Sequence, residues 1–397
     1  MTAVRTLELP GDRDCSRQVR RTLEGVLGVP ATEGNQIDVL RNGDEIFPSM
    51  LDAIAGAEHT LDFLTFVYWA GDIGTVFARA LAERARAGVR VRVLLDALGA
   101  RTMDRDLIDL MADHGVQARW FRPLRKFRPG QLNHRTHRKV LIVDEAVGFS
   151  GGVGIADEWK GDARDEHEWR DTHFRFEGPI VDGLRAAFLD NWAETDRVLY
   201  DAAIDRFPEQ PQPGNAVTQC IRGASETGWS DVATLLRTLL QMAEDHIRIT
   251  TAYFVPDEEL ICRLCEAADR GVDVDILIPG PFADKRVVQL AAETSYSRLL
   301  DHGVSIWNYQ PTMLHAKLMT VDGRGLGIDV EGLRRLILGL RGSTPERTQD
   351  AESDASEDSA RSDEAEPDTG LAGAASDGLG LPGDVIRELR GPRSATP

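Results

Sequence analysis

The chain has 397 residues, of which 42% are hydrophobic, and a formal net charge of -19. Its length leaves room for two domains with sizeable cores, and its acidity argues against general nucleic-acid binding, which requires basic surfaces. The charged segment Met1 to Arg21 does not resemble a signal peptide and no apolar run approaches 18 residues, so we expect a cytoplasmic protein, peripheral at most on the inner face of the cell membrane.

Helix-like and strand-like segments alternate along the first half of the chain. Apolar residues at helical spacing predict the helices, and short, nearly continuous apolar runs predict buried strands. The predicted helices are Ser16 to Leu27, Asp44 to Ala57, Ile73 to Ala87 and Arg105 to His114; the predicted strands are Thr60 to Trp69, Val89 to Asp96, one that begins at Gly115, and Val140 to Val143.

The second half repeats this order. The predicted helices are Leu235 to Asp245, Glu258 to Arg270 and Tyr296 to His302, and the predicted strands are Ile247 to Val255, Gly271 to Ile278 and Leu318 to Val321. A repeat this long indicates a duplicated domain, since solenoid repeats are much shorter. The sequence therefore predicts an α/β fold with two copies of a mostly buried β-sheet flanked by helices.

Composition changes give the expected domain boundaries. We place an N-terminal segment at residues 1–34, a first domain at 35–200, a linker at 201–216 and a second domain at 217–325. Residues 326–397 are acidic and nearly free of aromatic residues, which predicts a largely disordered tail. A dedicated acidic tail and a reading-frame change or degenerated gene both explain the abrupt change after Arg324, and we favour the second.

One motif occurs twice, at equivalent places of the repeat. It has the form His-x-Lys-x4-Asp, with apolar residues ahead of the aspartate, and consists of His137, Lys139 and Asp144 in the first copy and of His315, Lys317 and Asp322 in the second. On a strand the histidine and lysine project to the same face. An imidazole beside a fixed cation suits attack on, or protonation of, a substrate whose negative charge the cation holds, such as a phosphate ester.

A basic cluster leads into the first motif of this acidic chain. Its members are Arg122, Arg125, Lys126, Arg128, Arg135, Arg138 and Lys139. A solvated loop explains the cluster, and so does a local attractor for anionic head groups, for which Arg135 and Arg138 are candidate substrate-binding residues. His134 is a further candidate for binding anionic groups beside this cluster.

The paired motifs resemble those of the phospholipase D superfamily. The first copy is followed by the run from Phe149 to Trp159, with Gly151 and Gly152, and by Trp169-Arg170-Asp171-Thr172-His173, a context that looks like the cardiolipin synthase branch. The resemblance covers roughly residues 35 to 325. It implies a two-domain α/β fold with the active site between the halves, and a reaction that requires no metal or other cofactor.

The resemblance also implies roles for individual residues. His137 would be the nucleophile and His315 the general acid and base, although the two could be exchanged, while Lys139 and Lys317 would hold the phosphate oxygens. Asp171 would lie near an active-site histidine, with a surface ion pair as the alternative. Asp144 and Asp322 complete the motifs, but each lies some 17 Å along a strand from its lysine at about 3.3 Å per residue, so we interpret them as carboxylates that anchor the following turn.

Glycines of the first motif's context are expected to shape the site. Gly151 and Gly152 would permit close backbone approach at the substrate cleft. Many relatives have Asn where this chain has Gly154, so a hydrogen bond to phosphate is expected to be absent.

The remaining histidines and cysteines predict no metal centre. His134, His167 and His173 follow no ligand spacing, and Cys262 and Cys265 lack a second pair to complete a zinc site. The other cysteines are Cys15 and Cys220, too few for a disulfide framework.

The resemblance implies a phosphatidyltransferase of the cardiolipin synthase type, acting on phosphatidylglycerol through a phosphohistidine intermediate. A phospholipase D-like phosphodiesterase would use the same residues with water as the acceptor. A nuclease is not expected, because the chain is acidic and lacks a basic groove lined by aromatic residues. An inactive relative is the third alternative, because the pattern after Arg324 departs from that of the family.

Overall fold

The computed structural model describes residues 2–6, 13–123, 135–196, 207–222, 231–283, 296–323 and 326–327. The basic residues Arg125, Lys126 and Arg128, together with His134 and the predicted acidic tail from residue 328, lie outside this described part. Strands and helices alternate through most of the described chain. The strands are β1 (Thr2–Thr6), β2 (Thr32–Arg41), β3 (Thr60–Thr65), β4 (Arg90–Asp96), β5 (Gln117–Phe121), β6 (Val140–Val143), β7 (Val147–Gly151), β8 (Thr172–Glu177), β9 (Ala216–Ile221), β10 (His246–Thr251), β11 (Asp273–Pro279), β12 (Ser305–Tyr309), β13 (Lys317–Val321) and β14 (Leu326–Gly327).

Seven of the described helices lie where the sequence predicts them, with ends shifted by a few residues, whereas the helix Ile180–Asp196 was not predicted. They are α1 (Arg13–Leu27), α2 (Asn42–Ala55), α3 (Asp72–Arg86), α4 (Arg105–Asp113), α5 (Ile180–Asp196), α6 (Asp231–Met242), α7 (Glu258–Asp269) and α8 (Tyr296–Asp301). None of these described helices is both long and apolar enough to cross a bilayer.

Two sheets organise the fold. The first has nine strands in the order β1-β9-β2-β8-β7-β6-β3-β4-β5, and the second has five in the order β12-β11-β10-β13-β14. Each contains three adjacent parallel strands, β3 to β5 in one and β10 to β12 in the other, and each adds the motif strand, β6 or β13, antiparallel beside the first of them. The repeated topology and the flanking helices confirm the predicted duplicated α/β architecture.

The apolar strands of the first sheet are buried on both faces. Phe63, Val93 and Leu141 belong to one core cluster, with residues of α2, α3 and α4. Leu64, Leu94 and Val140 belong to another, with Val181, Leu184 and Phe188 of α5. Because neighbouring strand residues point to opposite faces, a nearly continuous apolar run lets helices pack on both sides of the sheet.

The helix ends that precede two strands show the duplication in detail. Gly88 follows α3 with a φ of 96°, and Gly271 follows α7 with a φ of 93°. A left-handed residue at this position ends a helix at low cost only when it is glycine. The same turn therefore directs the chain into β4 and into β11, as the matching Gly-Val sequences predict.

Several elements differ from the sequence expectation. Strands β1, β2, β7, β8, β12 and β14 were not predicted, and β9 joins the nine-stranded sheet although it follows the expected linker. Helix α1 is the first helix of the chain, yet its Leu23 is buried in the core of the five-stranded sheet, which the second half of the chain forms. These elements pair through the main chain or pack across a long sequence separation, which local apolar patterns do not reveal.

Candidate active site

The second motif is fixed directly to the first half of the chain. The N–H of Arg170 donates to the carbonyl of Met313 at 2.8 Å, and the N–H of His315 donates to the carbonyl of Arg170 at 2.8 Å. These two bonds form an isolated parallel bridge between Arg170 and Leu314. The segment ahead of β13 is thereby fastened beside the segment ahead of β8, and the two halves meet at His315.

A carboxylate of the first half orients this histidine. The Nδ1 atom of His315 lies 2.8 Å from Oδ2 of Asp171, and Asp171 is fully buried. Its carboxylate also accepts hydrogen bonds from the indole N–H of Trp159 at 2.9 Å and from the N–H of Thr172 at 2.7 Å. Since an ionised carboxylate only accepts hydrogen bonds, the proton lies on Nδ1 of His315, and Nε2 is the nitrogen left to accept a proton.

The charges around this pair stabilise the ionised form of Asp171. Burial acts to raise its pKa, but the hydrogen bond from His315, the charge of Lys317 and the Thr172 N–H together lower the pKa to about 2. Burial lowers the pKa of His315, Asp171 opposes this effect, and the charges of Lys317 and Lys139 reinforce it. The net lowering of its pKa favours the neutral form of His315, with a lone pair on Nε2, in the absence of an anionic substrate.

The lysines of the two motifs lie close to the histidines of the same motifs, and their charges repel each other. The Nζ atom of Lys317 lies 3.2 Å from Nε2 of His315, and Nζ of Lys139 donates to the carbonyl of His137 at 3.2 Å. Burial lowers the pKa of Lys139 to about 8; the charge of Lys317 adds to this effect and Asp171 opposes it. Both motifs thus contribute to one site, which holds excess positive charge suited to a phosphate.

Aromatic rings enclose His315, and one ring lies against His137. Trp159, Trp169 and Tyr253 surround His315, with ring centroids 5.2, 5.7 and 6.4 Å from the imidazole. The exposed ring of His137 lies against Phe66 at 4.2 Å. The rings around His315 limit the rotation of its imidazole and reduce the water around it, which strengthens the local charge interactions.

The paired glycines make room for the groups beside the site. A Cβ atom on Gly152 would lie 2.1 Å from Oδ1 of Asp171, and one on Gly151 would lie 2.7 Å from Nδ1 of His173. A Cβ on Gly154 would meet Cβ of Val67 at 2.6 Å. Side chains at these positions would therefore displace the carboxylate, the imidazole or the packed valine. The expected role of Gly151 and Gly152 in substrate binding stays a prediction.

The motif aspartates hold main-chain turns. The carboxylate of Asp144 accepts from the N–H groups of residues 58, 59 and 60 at 2.7 to 2.8 Å, and that of Asp322 accepts from residues 244, 245 and 246 at 2.8 to 3.2 Å. Both residues have positive φ, 49° and 56°. They fasten the turns that lead into β3 and β10, the strands next to their own, and not the turns that follow them as we expected.

The two candidate arginines are committed to protein groups. Arg135 forms an ion pair with the buried Asp96 at 2.8 Å and donates to the carbonyls of residues 121 and 122. Arg138 donates to the carbonyl of Ala187 at 2.7 Å and to Oδ1 of Asn191 at 3.0 Å. Their role in substrate binding stays a prediction, and these contacts argue for a structural one.

Sequence reasoning assigned no role to three residues that line or support the site. Trp159 binds Asp171 through its indole N–H, and Asn42 binds the main chain of Asp171. His173 is buried, its Nδ1 has no partner in the described part of the chain, and burial lowers its pKa to about 4. Trp159 and His173 belong to the segments after the first motif that resemble the family, so the sequence could have indicated them. For Asn42 the sequence shows only an Asn-Gly pair ahead of the predicted helix.

The described residues contain no cluster of three or more His, Cys, Asp or Glu side chains suited to a metal ion. Cys262 is half-buried, with its Sγ 3.1 Å from a guanidinium nitrogen of Arg298, and Cys265 is buried. The expected absence of a metal from the reaction stays a prediction.

Comparisons with known proteins agree with this geometry. The family described as "Cardiolipin synthase, PLD-like domain" matches residues 50–166 and 236–340, more than half of the chain. The second match extends past Arg324, where we expected the family pattern to end. The cardiolipin synthase of Geobacillus kaustophilus is 35% identical over 297 residues, covering 74% of this chain and 59% of that protein. Cardiolipin synthase 1 of Bacillus cereus is 32% identical over 303 residues, covering 74% and 59%.

The chain thus spans about three fifths of the length of these curated relatives. Among solved structures, the phosphatidylserine synthase of Haemophilus influenzae Rd KW20 has a similar fold, with a TM-score of 0.59 and 12% identity over 83% of this chain and 92% of that one. The duplicated fold, the paired motifs and the family match all lead to one conclusion. The chain belongs to the cardiolipin synthase family of phospholipase D-like proteins.

Proposed function

We propose that the protein is a phosphatidyltransferase of the cardiolipin synthase type. The observation that carries this proposal is the union of both His-x-Lys pairs in one positively charged site, with Asp171 of the first half bonded to His315 of the second. The names of the relatives supply the substrate class, a phospholipid, and we take phosphatidylglycerol as the donor. The expected site of action is the inner face of the cell membrane, reached by peripheral contact from the cytoplasm.

The proposed reaction has two displacements at phosphorus. In the first, an imidazole nitrogen of His137 attacks the phosphodiester, a phosphorus–nitrogen bond forms, and the bond to the glycerol oxygen breaks while His315 donates a proton to that oxygen. In the second, the hydroxyl of another lipid attacks the phosphohistidine, His315 accepts its proton, and His137 leaves. Lys139 and Lys317 hold the non-bridging oxygens and stabilise the charge that develops there.

The contacts of His315 support its role in proton transfer. Asp171 holds the proton on Nδ1, so that only Nε2 exchanges protons with the substrate. The buried carboxylate also stabilises the imidazolium that forms when Nε2 is protonated, as in other His–Asp pairs that act as general acids and bases. An anionic phosphate between the two lysines would offset their charge and so raise the pKa of His315.

Product analysis tests the proposal. The purified protein is incubated with vesicles of labelled phosphatidylglycerol, alongside the variant His137→Ala, and the lipids are separated. Cardiolipin and free glycerol that depend on His137 would support the transferase. Phosphatidic acid as the sole lipid product would contradict it and show a hydrolase instead. No product from a protein shown to be folded would show an inactive member of the family.

A further inference from the structure

Asn42 continues the pairing of two strands by one residue. Strands β2 and β8 are antiparallel, with Arg41 opposite Thr172 at the last pair of the ladder. Beyond this pair, the N–H of Asn42 donates to the carbonyl of Asp171 at 3.1 Å. The N–H of Asp171 donates to the side-chain Oδ1 of Asn42 at 3.3 Å. Asn42 therefore binds the main chain of Asp171 on both its donor and its acceptor.

The side-chain oxygen of Asn42 accepts the hydrogen bond that a main-chain carbonyl would accept if the strand continued. Asn42 has a φ of 55° and begins α2, so its chain leaves the strand direction at this point. Among residues with a side chain, asparagine is one of the few that adopt this left-handed conformation readily. Its Nδ2 donates to Asp162 at 2.8 Å, which fixes the amide so that Oδ1 faces Asp171.

Arg170 links the same amide oxygen to the second motif. Its Nη1 donates to Oδ1 of Asn42 at 2.6 Å and to the carbonyl of Asp171 at 3.2 Å. Its main-chain N–H and carbonyl are the groups that bind Met313 and His315. Asn42 and Arg170 are both buried, at 6% and 5% exposure, and water competes little for these bonds.

We propose that Asn42 is a positioning residue that fixes the Asp171–His315 pair through the main chain of Asp171 and the side chain of Arg170. Asn42 does not touch the reacting atoms. It sets where the carboxylate lies on one side of His315 and where the Arg170 carbonyl lies on the other. This proposal rests on the function proposed above for its kinetic test, and a spectroscopic test of His315 is independent of that function.

The kinetic test compares Asn42→Ala with Asn35→Ala. Asn35 is a matched control, since it lies on β2, the strand that leads to Asn42, and is 1% exposed. It donates to the carbonyls of Thr32 and Ala216 and accepts from the N–H of Ile180. Both variants lose buried hydrogen bonds and stability. We expect kcat to fall about 10- to 100-fold in Asn42→Ala with KM little changed, and to stay within about threefold of the parent in Asn35→Ala.

A paired exchange gives a second test. The double variant with Asn42→Asp and Asp162→Asn keeps an acceptor oxygen toward Asp171 and Arg170, restores the hydrogen bond between positions 42 and 162 with donor and acceptor reversed, and preserves the net charge. It should recover most of the kcat lost in Asn42→Ala. Because it retains the buried contacts, it also serves if Asn42→Ala does not fold.

The spectroscopic test follows His315 itself. Nitrogen NMR of protein labelled at histidine, with His315 assigned by its substitution, should show the Nδ1–H tautomer in the parent and in Asn35→Ala. In Asn42→Ala, or in Asn42→Gly if the alanine variant does not fold, the tautomers should mix and the Nδ1 proton should exchange faster, because both variants lack the acceptor oxygen. An unchanged His315 spectrum, or equal losses of kcat in the two alanine variants, would overturn the proposal. If the parent is inactive, the function fails, while the spectrum still decides the role of Asn42.

Discussion

Replacing Asp171 by Asn removes the charge beside His315 and nearly preserves the shape of the side chain. Interactions of Asp171 in the folded protein lower its pKa from 3.8 to about 2. Since one pKa unit corresponds to about 1.4 kcal/mol, this lowering corresponds to roughly 2 kcal/mol in favour of the ionised carboxylate, and the hydrogen bond from His315 is the largest of the effects that lower the pKa. Loss of that stabilisation from an imidazolium in the transition state corresponds to about a 30-fold lower rate.

The geometry adds a second loss. The amide of Asn presents an N–H group as well as an oxygen, whereas Trp159 and His315 both lie at Oδ2 of Asp171 and Thr172 donates to Oδ1. In either orientation the amide nitrogen therefore opposes a donor. When the amide oxygen stays with Thr172, the amide N–H faces Nδ1 of His315 and favours the tautomer whose proton lies on Nε2, which cannot accept a proton there. We expect Asp171→Asn to lower kcat by about 10³-fold in total, within the range known for His–Asp pairs.

The assay is lipid transfer at saturating phosphatidylglycerol, with unfolding measured in denaturant. Asp157→Asn is the control, since Asp157 also has a lowered pKa and accepts two main-chain N–H bonds, but at the start of α3 and not at His315. A kcat within tenfold of the parent in Asp171→Asn, or an equal loss in the control, would refute this reasoning. Because the folded pKa of Asp171 is lowered, its stabilising effect is full above about pH 4 and disappears as the pH falls toward 2.

Three further predictions concern residues of the motifs and Gly152 beside them. Asp144→Ala and Asp322→Ala should each lower the free energy of unfolding by about 2 to 3 kcal/mol, because three main-chain N–H groups lose their acceptor. The kcat per folded molecule should change only a few fold. Denaturant titration measures the first effect, and active-site titration combined with the transfer assay measures the second. Since the pKa of Lys139 is about 8, kcat/KM of the free enzyme should fall as the pH rises through 8, and Lys139→Arg should move that limb to higher pH. Gly152→Ala should displace the carboxylate of Asp171 and lower kcat at least tenfold, whereas Gly25→Ala, which meets nothing within 4 Å, should leave kcat unchanged.

The sequence predicts the architecture well because it depends on apolar patterns. Buried runs such as Val140 to Val143 and the glycines that end α3 and α7 carry local signals for strands and helix ends. The strand β2 carries a weaker signal, since polar residues interrupt it and its place in the sheet depends on pairing with β8 and β9. Such pairing is a property of distant segments, so composition near residue 35 or 216 does not reveal it.

In the candidate site, too, the sequence shows local motifs but not contacts between distant segments. The two His-x-Lys pairs are visible as motifs, and the distance along the strand predicts that Asp144 and Asp322 are structural. The sequence does not show which histidine Asp171 binds, because the partner, His315, lies 144 residues away in the other half. Nor does it show that Arg135 is paired with Asp96, since a run of basic residues looks the same whether its members face solvent or internal carboxylates.

In the proposed reaction His137 is the nucleophile and His315 the general acid and base. Trapping the phosphohistidine intermediate tests these roles most directly. A phosphodiester with a p-nitrophenolate leaving group needs no proton for the first step, so His315→Ala should react once and then stall for lack of a general base. Mass spectrometry should find a phosphorus adduct on His137 in that variant and none in His137→Ala. An adduct on His315 in the His137→Ala protein, or no adduct in either variant despite release of p-nitrophenolate, would contradict the proposed roles.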